Sequence, residues 1–234
     1  MIEARDLCFS YPDGRAALSQ VSFSVATGES VGVVGPNGAG KTTLFLCLCG
    51  VFRPTTGSVT VAGIDSSNPA ARKLLPSRLG VVFQNSDDQL FCSSVGDDVA
   101  FGPLNLGLPE NEVQARVSES LGQVGMAGHE DRVPFNLSGG EKRRAAIAGV
   151  LATRPEIMLL DEPSIFLDPR GRRELIQLTN QLPGVRMVAS HDLIFIRETC
   201  RRIIVMEAGQ IVASGTTELL CDKELMERHG LDSV

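Results

Sequence analysis

What this sequence goes without narrows it quickly. Its 234 residues include no tryptophan and a single tyrosine, Tyr11. Basic residues are outnumbered, 22 Lys and Arg against 28 Asp and Glu, for a net charge of −6. That balance argues against general affinity for nucleic acid, because no excess of cations is available to neutralise phosphates, and no nucleic-acid partner is expected. No apolar run approaches the roughly 18 to 20 residues that span a bilayer. The longest, Leu44 to Phe52, reads instead as a buried helix. The opening Met1-Ile-Glu-Ala-Arg5 carries acid early and lacks a signal-peptide core. Cys8, Cys47, Cys49, Cys92, Cys200 and Cys221 make neither a C-x-x-C pair nor a zinc spacing, so reduced thiols in a cytosolic chain are expected.

What is present is a glycine-rich turn between an apolar run, Ser30 to Val34, and a second one, Leu44 to Leu48. The turn reads Gly35, Pro36, Asn37, Gly38, Ala39, Gly40, Lys41, Thr42, Thr43. G-x-x-x-x-G-K-T between strand and helix is the context of a phosphate-binding loop. Glycines let successive N–H groups approach phosphate oxygens, and the following helix turns the positive end of its dipole to the same point. Lys41 supplies a full charge for the β- and γ-phosphates, and Thr42 a hydroxyl where Mg²⁺ would sit. A nucleotide and Mg²⁺ are the expected ligands.

Along the chain, Ile2 to Phe9 and Val21 to Val25 read as strands around a Pro12-Asp-Gly14 turn, with Tyr11 beside it. Its ring suits either stacking on a flat adenine or capping the small sheet. Ser58 to Ala62 and Gly80 to Phe83 read as further strands, with Gln84 at the end of the latter. Asn85 to Pro109 is rich in Asp, Ser, Gly and Pro, and Glu110 to Val124 reads as an amphipathic helix. The expectation is an inserted helical subdomain over 85–154, with 1–84 and 155–234 forming the core.

Leu137-Ser-Gly-Gly-Glu141 opens a helix over Lys142 to Ala152. Ser138 and Glu141 satisfy a capping box, a purely structural reading. Gly139 and Gly140 are not needed for it, and they let a ligand approach the N–H groups at that helix start. Ile157 to Leu160 is an apolar strand ending in Asp161-Glu162, a costly place for two carboxylates unless they meet a cation or a water. Val185 to Ala189 is another strand, ending at Ser190 and His191. His191 either caps a loop or reaches the γ-phosphate, since the ends of parallel strands converge on one crevice. Arg202 to Met206 and Gln210 to Ala213 form a hairpin before a polar helical tail. The alternation of strands and helices implies an α/β fold around a mostly parallel sheet.

Taken together these motifs resemble the ATP-binding subunit of ABC transporters. Gly35 to Thr42 matches Walker A, Ile157 to Glu162 matches Walker B with its glutamate, and Leu137 to Glu141 matches the signature motif. Gln84 matches the Q-loop, Ser164 to Asp168 the D-loop, His191 the switch histidine, and Tyr11 the adenine-stacking aromatic. The resemblance implies a P-loop NTPase core with an N-terminal antiparallel β subdomain and an inserted helical subdomain. It implies two protomers, identical or paralogous. Lys41, Thr42, Asp161, Glu162, Gln84 and His191 of one would hold the triphosphate, Mg²⁺ and water. Ser138, Gly139 and Gly140 of the other would close on the γ-phosphate.

Phe83 to Phe91, Val99 to Pro103 and Asn105 to Pro109 are similar to the narrower energy-coupling factor group, ATPases of cobalt, nickel and vitamin importers. That resemblance implies a peripheral subunit on the cytoplasmic face of the membrane. Its partners would be a transmembrane energy-coupling subunit and a substrate-binding membrane subunit. Leu90 and Phe91 are expected to line a groove that receives a helix of the membrane partner, and Phe101 to lie in the small core beneath it. A soluble ABC ATPase acting on nucleic acid or ribosomes is the alternative, and the net acidity opposes it. Departures from the family pattern are Ser86 in place of proline, Gly96 in place of an acid, bulky Ile165-Phe166 in the D-loop, and an early end to the chain.

Overall fold

A computed structural model describes residues 1–232. The chain begins with β1 (Ile2–Ser10) and β2 (Ala16–Val25), an antiparallel pair, before the buried strand β3 (Ser30–Val34) and helix α1 (Lys41–Leu48). Strands β4 (Thr56–Val61) and β5 (Ile64–Asp65) return to the first pair, giving a four-stranded antiparallel sheet in the order β2-β1-β4-β5. A short helix α2 (Pro69–Arg72) leads to β6 (Leu79–Val82). Three helices without an intervening strand follow: α3 (Val95–Asn105), α4 (Glu110–Gln123) and α5 (Gly139–Leu151). The chain then alternates β7 (Ile157–Asp161), α6 (Pro169–Gln181), β8 (Val185–Ala189), α7 (Leu193–Thr199) and β9 (Arg202–Glu207). It closes with β10 (Gln210–Thr216) and α8 (Lys223–Arg228).

The second sheet runs β10-β9-β3-β8-β7-β6, and every pair in it is parallel except β9 with β10. Strands β3 and β7 are buried at every position, the pattern of a sheet covered on both faces. Successive residues of β7 therefore feed opposite cores. Ile157 and Leu159 join α1 and the antiparallel sheet, whereas Met158 and Leu160 join the helices α3 to α7. Because β3, β8 and β7 are adjacent and parallel, their C-terminal ends lie side by side. Those ends carry Gly35, Ser190-His191 and Asp161-Glu162.

Several expectations need adjustment. The apolar run Leu44 to Phe52 is not one helix: α1 ends at Leu48, Gly50 takes φ 77°, and Val51 is 61 % exposed. Hydrophobicity continued past the point where the backbone reverses. Within the helical subdomain expected over 85–154, residues 95–105 form α3, a helix that no sequence pattern singled out. Its Gly and Pro content masks a good helix start, in which Ser94 Oγ accepts from Asp97 N. Gly102 is required where α3 crosses the end of α5, because a Cβ there would lie 2.4 Å from Thr153 Cγ2. The helix expected from Lys142 begins three residues earlier, at Gly139.

The capping box at that start is complete. Glu141 N donates to Ser138 Oγ, and Glu141 Oε2 accepts from Ser138 N at 2.8 Å. The Ser138 backbone bond, then the Ser138 hydroxyl and Arg132, hold the Glu141 carboxyl down at about 2, from an ordinary 4.5. The resulting stabilisation is fully present above 4.5 and is lost as pH falls toward about 2. Glu141→Gln is expected to lower stability by about 1 kcal/mol near neutrality, the size of a helix cap. The gap between the two proteins should narrow below pH 4.5 in denaturant titrations; an unchanged gap down to pH 3 contradicts this.

Candidate nucleotide site

The loop between β3 and α1 wraps a cavity of about 270 Å³. Asn37, Gly38, Ala39, Gly40, Lys41, Thr42 and Thr43 line it, with Tyr11 and Gln84 on other sides. Two of the loop's glycines are needed for distinct reasons. Gly40 caps α1 at φ 103°, a left-handed conformation that side chains disfavour. Gly35 passes so close to β9 that a Cβ would lie 2.2 Å from the Met206 carbonyl oxygen. Gly35, Pro36 and Asn37 also border a second opening of about 450 Å³, whose far side is formed by His191, Asp192 and Leu231.

Lys41 is 7 % exposed, and its Nζ donates to the carbonyls of Gly35 at 2.7 Å and Pro36 at 3.2 Å. Glu162 Oε1 lies 3.9 Å from Nζ, too far for a hydrogen bond. Burial pushes the Lys41 ammonium below its usual range, and the charges of Glu162 and Asp161 oppose that. Asp161 ends β7 at 1 % exposure, and its Oδ2 accepts from Thr42 Oγ1 at 2.7 Å. Its Oδ1 is buried without a partner. Burial pushes the Asp161 carboxyl up; the bond from Thr42 pulls it down.

Glu162 adopts a left-handed backbone at φ 45°, held there by its N–H donating to Ala189 O at 2.8 Å. A non-glycine residue in that region is strained, and the turn aims its carboxylate back across the strand ends. Ser190 Oγ donates to Glu162 Oε2 at 3.1 Å, and His191 Nδ1 lies 2.8 Å from the same oxygen. The exposed His191 imidazole thus reaches the carboxylate rather than serving as a loop cap. Of the two readings of Tyr11, the contacts present are those of a ring packed at the edge of the small sheet. Its edge packs on Phe9 and Phe52, its hydroxyl pairs with Thr43 Oγ1 at 2.9 Å, and the Arg15 guanidinium lies 4.8 Å over its face.

The structure does not bring Ser138, Gly139 or Gly140 to either cavity. Ser138 and Gly139 are exposed at the start of α5, and nothing would crowd a Cβ at Gly139 within 4 Å. In the D-loop, Phe166 stands 89 % exposed at φ 63°, and Ser164 Oγ donates to Asp192 Oδ2 at 3.1 Å. Sequence reasoning passed over Ser190 and Asp192. Their signal was the serine and aspartate flanking His191 at the end of a buried strand.

Thr42→Val removes the one donor to a buried carboxylate and should cost about 1–3 kcal/mol at neutral pH. Its loss moves the Asp161 carboxyl still further up. A raised carboxyl value costs stability as pH rises from the unfolded value toward the folded one, so the penalty should shrink as pH falls toward 3.8. Thermal unfolding at pH 7 and pH 4 checks this, and an equal loss at both contradicts it.

The chain is similar to known proteins in sequence and in fold. The family model described as ABC transporter matches residues 18–165. The energy-coupling factor transporter ATP-binding protein EcfA of Methanothermobacter thermautotrophicus is 50% identical over 237 residues, covering 99% of this chain and 76% of that protein. Among solved structures, cbiO1 from Clostridium perfringens, part of the ABC transporter complex cbiONQ, superposes with a TM-score of 0.85 at 34% identity. The match covers 97% of this chain and 93% of that one. The dimeric ATP-binding cassette MJ0796, bound to ADP and Pi in a post-hydrolysis state, gives a TM-score of 0.84 at 26% identity, covering 93% and 99%. With its phosphate loop, strand-end carboxylates and exposed signature glycines in the same chain, this protein belongs to the ABC transporter family and is one of its ATP-hydrolysing cassettes.

Proposed function

We propose that the chain energises a membrane importer of the energy-coupling factor type, for a metal ion such as cobalt or nickel or for a vitamin. The observation that carries this reading is an apolar groove of about 300 Å³ directly behind the Q-loop. Phe83, Leu90, Phe91 and Phe101 line it on one side and Ala146 and Val150 of α5 on the other. Phe91 is 62 % and Phe101 48 % exposed, and their rings meet edge to face at 5.0 Å. Phe101 is therefore part of the groove wall, not of a core beneath it. The helix α3 turns it outward and fills the interior with Val95, Val99 and Ala100. Asp98 fixes the rim, its Oδ1 accepting from Phe91 N and Cys92 N at 2.9 Å each.

A helix of a transmembrane energy-coupling subunit fits such a groove by its apolar face. The partners are then that subunit, a substrate-binding membrane subunit, and a second ATPase protomer, at the cytoplasmic face of the membrane. Substrate choice falls to the other subunits. Among the described residues no helix is long and apolar enough to cross a membrane. Residues 85–154 are read as the subdomain that moves with the partner, against a core of 1–84 and 155–234, of which 233 and 234 lie outside the described residues.

In the cycle we assign, the backbone N–H groups of Gly38 to Thr43 and the Lys41 ammonium bind the phosphates, and Tyr11 stacks on the adenine once Arg15 moves aside. Glu162, held by Ser190 and His191, polarises the attacking water. Gln84 and His191 orient the γ-phosphate, and Ser138, Gly139 and Gly140 of the second protomer close over it. Thr42 Oγ1 and the unpartnered Asp161 Oδ1, with Gln84, would hold Mg²⁺. A donor set of one hydroxyl and few oxygens suits this ion, which keeps several waters and takes phosphate ligands. When bound, the ion neutralises charge on the β- and γ-oxygens.

Glu162→Gln is expected to bind ATP as the wild type does and to hydrolyse it roughly 10²-fold or more slowly. Turnover within a fewfold of wild type removes Glu162 from the role. Replacing Leu90, Phe91 and Phe101 with serine should leave hydrolysis by the isolated subunit intact and abolish assembly with the membrane subunits. Normal assembly and transport by that variant overturn the coupling assignment. Gln89, which also lines the groove, is unsuited to the test. Its Oε1 accepts from Phe83 N at 2.8 Å and its Nε2 donates to Val81 O at 2.9 Å, so it holds the strand end itself.

A further inference from the structure

Arg143 is 4 % exposed, an unusual burial for an arginine, and sits one turn into α5 behind the signature glycines. Its Nη1 donates to Phe83 O and its Nη2 to Gln84 O, both at 2.6 Å. A planar fork thus grips two successive carbonyls just beyond the end of β6, a geometry that a single ammonium does not reproduce. Burial pulls the guanidinium down while the Asp161 carboxylate opposes the shift. The neighbouring Lys142 Nζ meets Asp87 Oδ1 at 2.6 Å, so α5 grips this stretch twice.

The gripped segment has three faces. The Gln84 side chain borders the nucleotide cavity. Phe83 borders the apolar groove, and its N–H is held by Gln89 on the groove side. The carbonyls of both residues point into the helix that begins with Ser138, Gly139 and Gly140. A shift of Gln84 toward a nucleotide therefore pulls on α5, and filling the groove presses on the same two residues.

We propose that Arg143 is a positioning residue that locks the signature helix to the Q-loop, so that nucleotide contact at Gln84 and partner contact at the groove set the orientation of the signature glycines together. This rests on the assignment of Gln84 and the signature glycines to the two sides of one nucleotide. Without the fork, each protomer still folds and binds ATP on its phosphate loop, but the glycines reach the second protomer's nucleotide in poorly fixed orientations. The defect falls on turnover and not on substrate binding.

Steady-state ATPase assays and thermal unfolding of Arg143→Gln and Arg143→Lys test this. Arg143→Gln is expected to lower kcat about tenfold or more while KM for ATP stays within about threefold, the pattern of an interaction needed only at the chemical step. Arg143→Lys keeps the buried charge and should recover much of the lost Tm. It should recover little of kcat, because it holds one carbonyl at a time. If Arg143→Lys turns over like wild type, or if Arg143→Gln loses Tm with kcat unchanged for the folded protein, the residue is only structural and the proposal fails. Glu162→Gln in the same assay separates the two levels. A dead Glu162→Gln with a fully active Arg143→Gln overturns the clamp alone. An active Glu162→Gln overturns the site assignment, and the clamp with it.

Discussion

Lys41 at the start of α1, Asp161 at the end of β7 and Glu162 just after it are three ionisable groups taken out of water, and their neighbours hold Lys41 and Glu162 short of a hydrogen-bonded pair. An isolated buried charge is costly, and two opposite ones would ordinarily collapse into a direct pair. Here they do not. Lys41 turns to the carbonyls of its own loop, and Glu162 is held back by Ser190 and His191. Asp161 is tied on one oxygen by Thr42 and left bare on the other. The parallel order β3-β8-β7 makes this possible, since it sets the three strand ends side by side with β8 as the spacer. The Mg²⁺-bound triphosphate proposed above would bring a cation to the bare Asp161 oxygen and a polyanion to Lys41.

The local parts of this design were legible in the sequence because each is written in consecutive residues. The phosphate loop, the apolar strand ending in Asp161-Glu162 and the capping box at Ser138 all depend on neighbours in the chain. The site's closing contacts were not legible, because they join residues far apart. Nothing near Arg143 in the sequence announces that its guanidinium ends on Phe83 and Gln84. Phe101 was misread for a similar reason. Whether an aromatic faces in or out of α3 depends on the rotation of that helix, and Gly96, Gly102 and Pro103 had hidden the helix. The end of α1 was overrun because apolar character outlasts the helix, and only the positive φ of Gly50 marks the stop.

The chain also divides its tasks between faces. One carries the phosphate loop, Gln84 and the strand-end charges, and the other side of the same Q-loop carries the groove. The bulky D-loop pair does not disturb this protomer's packing, since Phe166 stands outside the core and Ile165 is half-buried. The signature glycines are presented outward with no phosphate cavity of their own. On the function proposed above, the second wall of the nucleotide site comes from a second protomer.

That dependence is the centre of the account, and sedimentation of the Glu162→Gln protein with and without Mg-ATP tests it most directly. A monomer that becomes a dimer only when Mg-ATP is added is the predicted result. An oligomeric state that ignores the nucleotide, in the isolated protein and with the membrane subunits present, would contradict it.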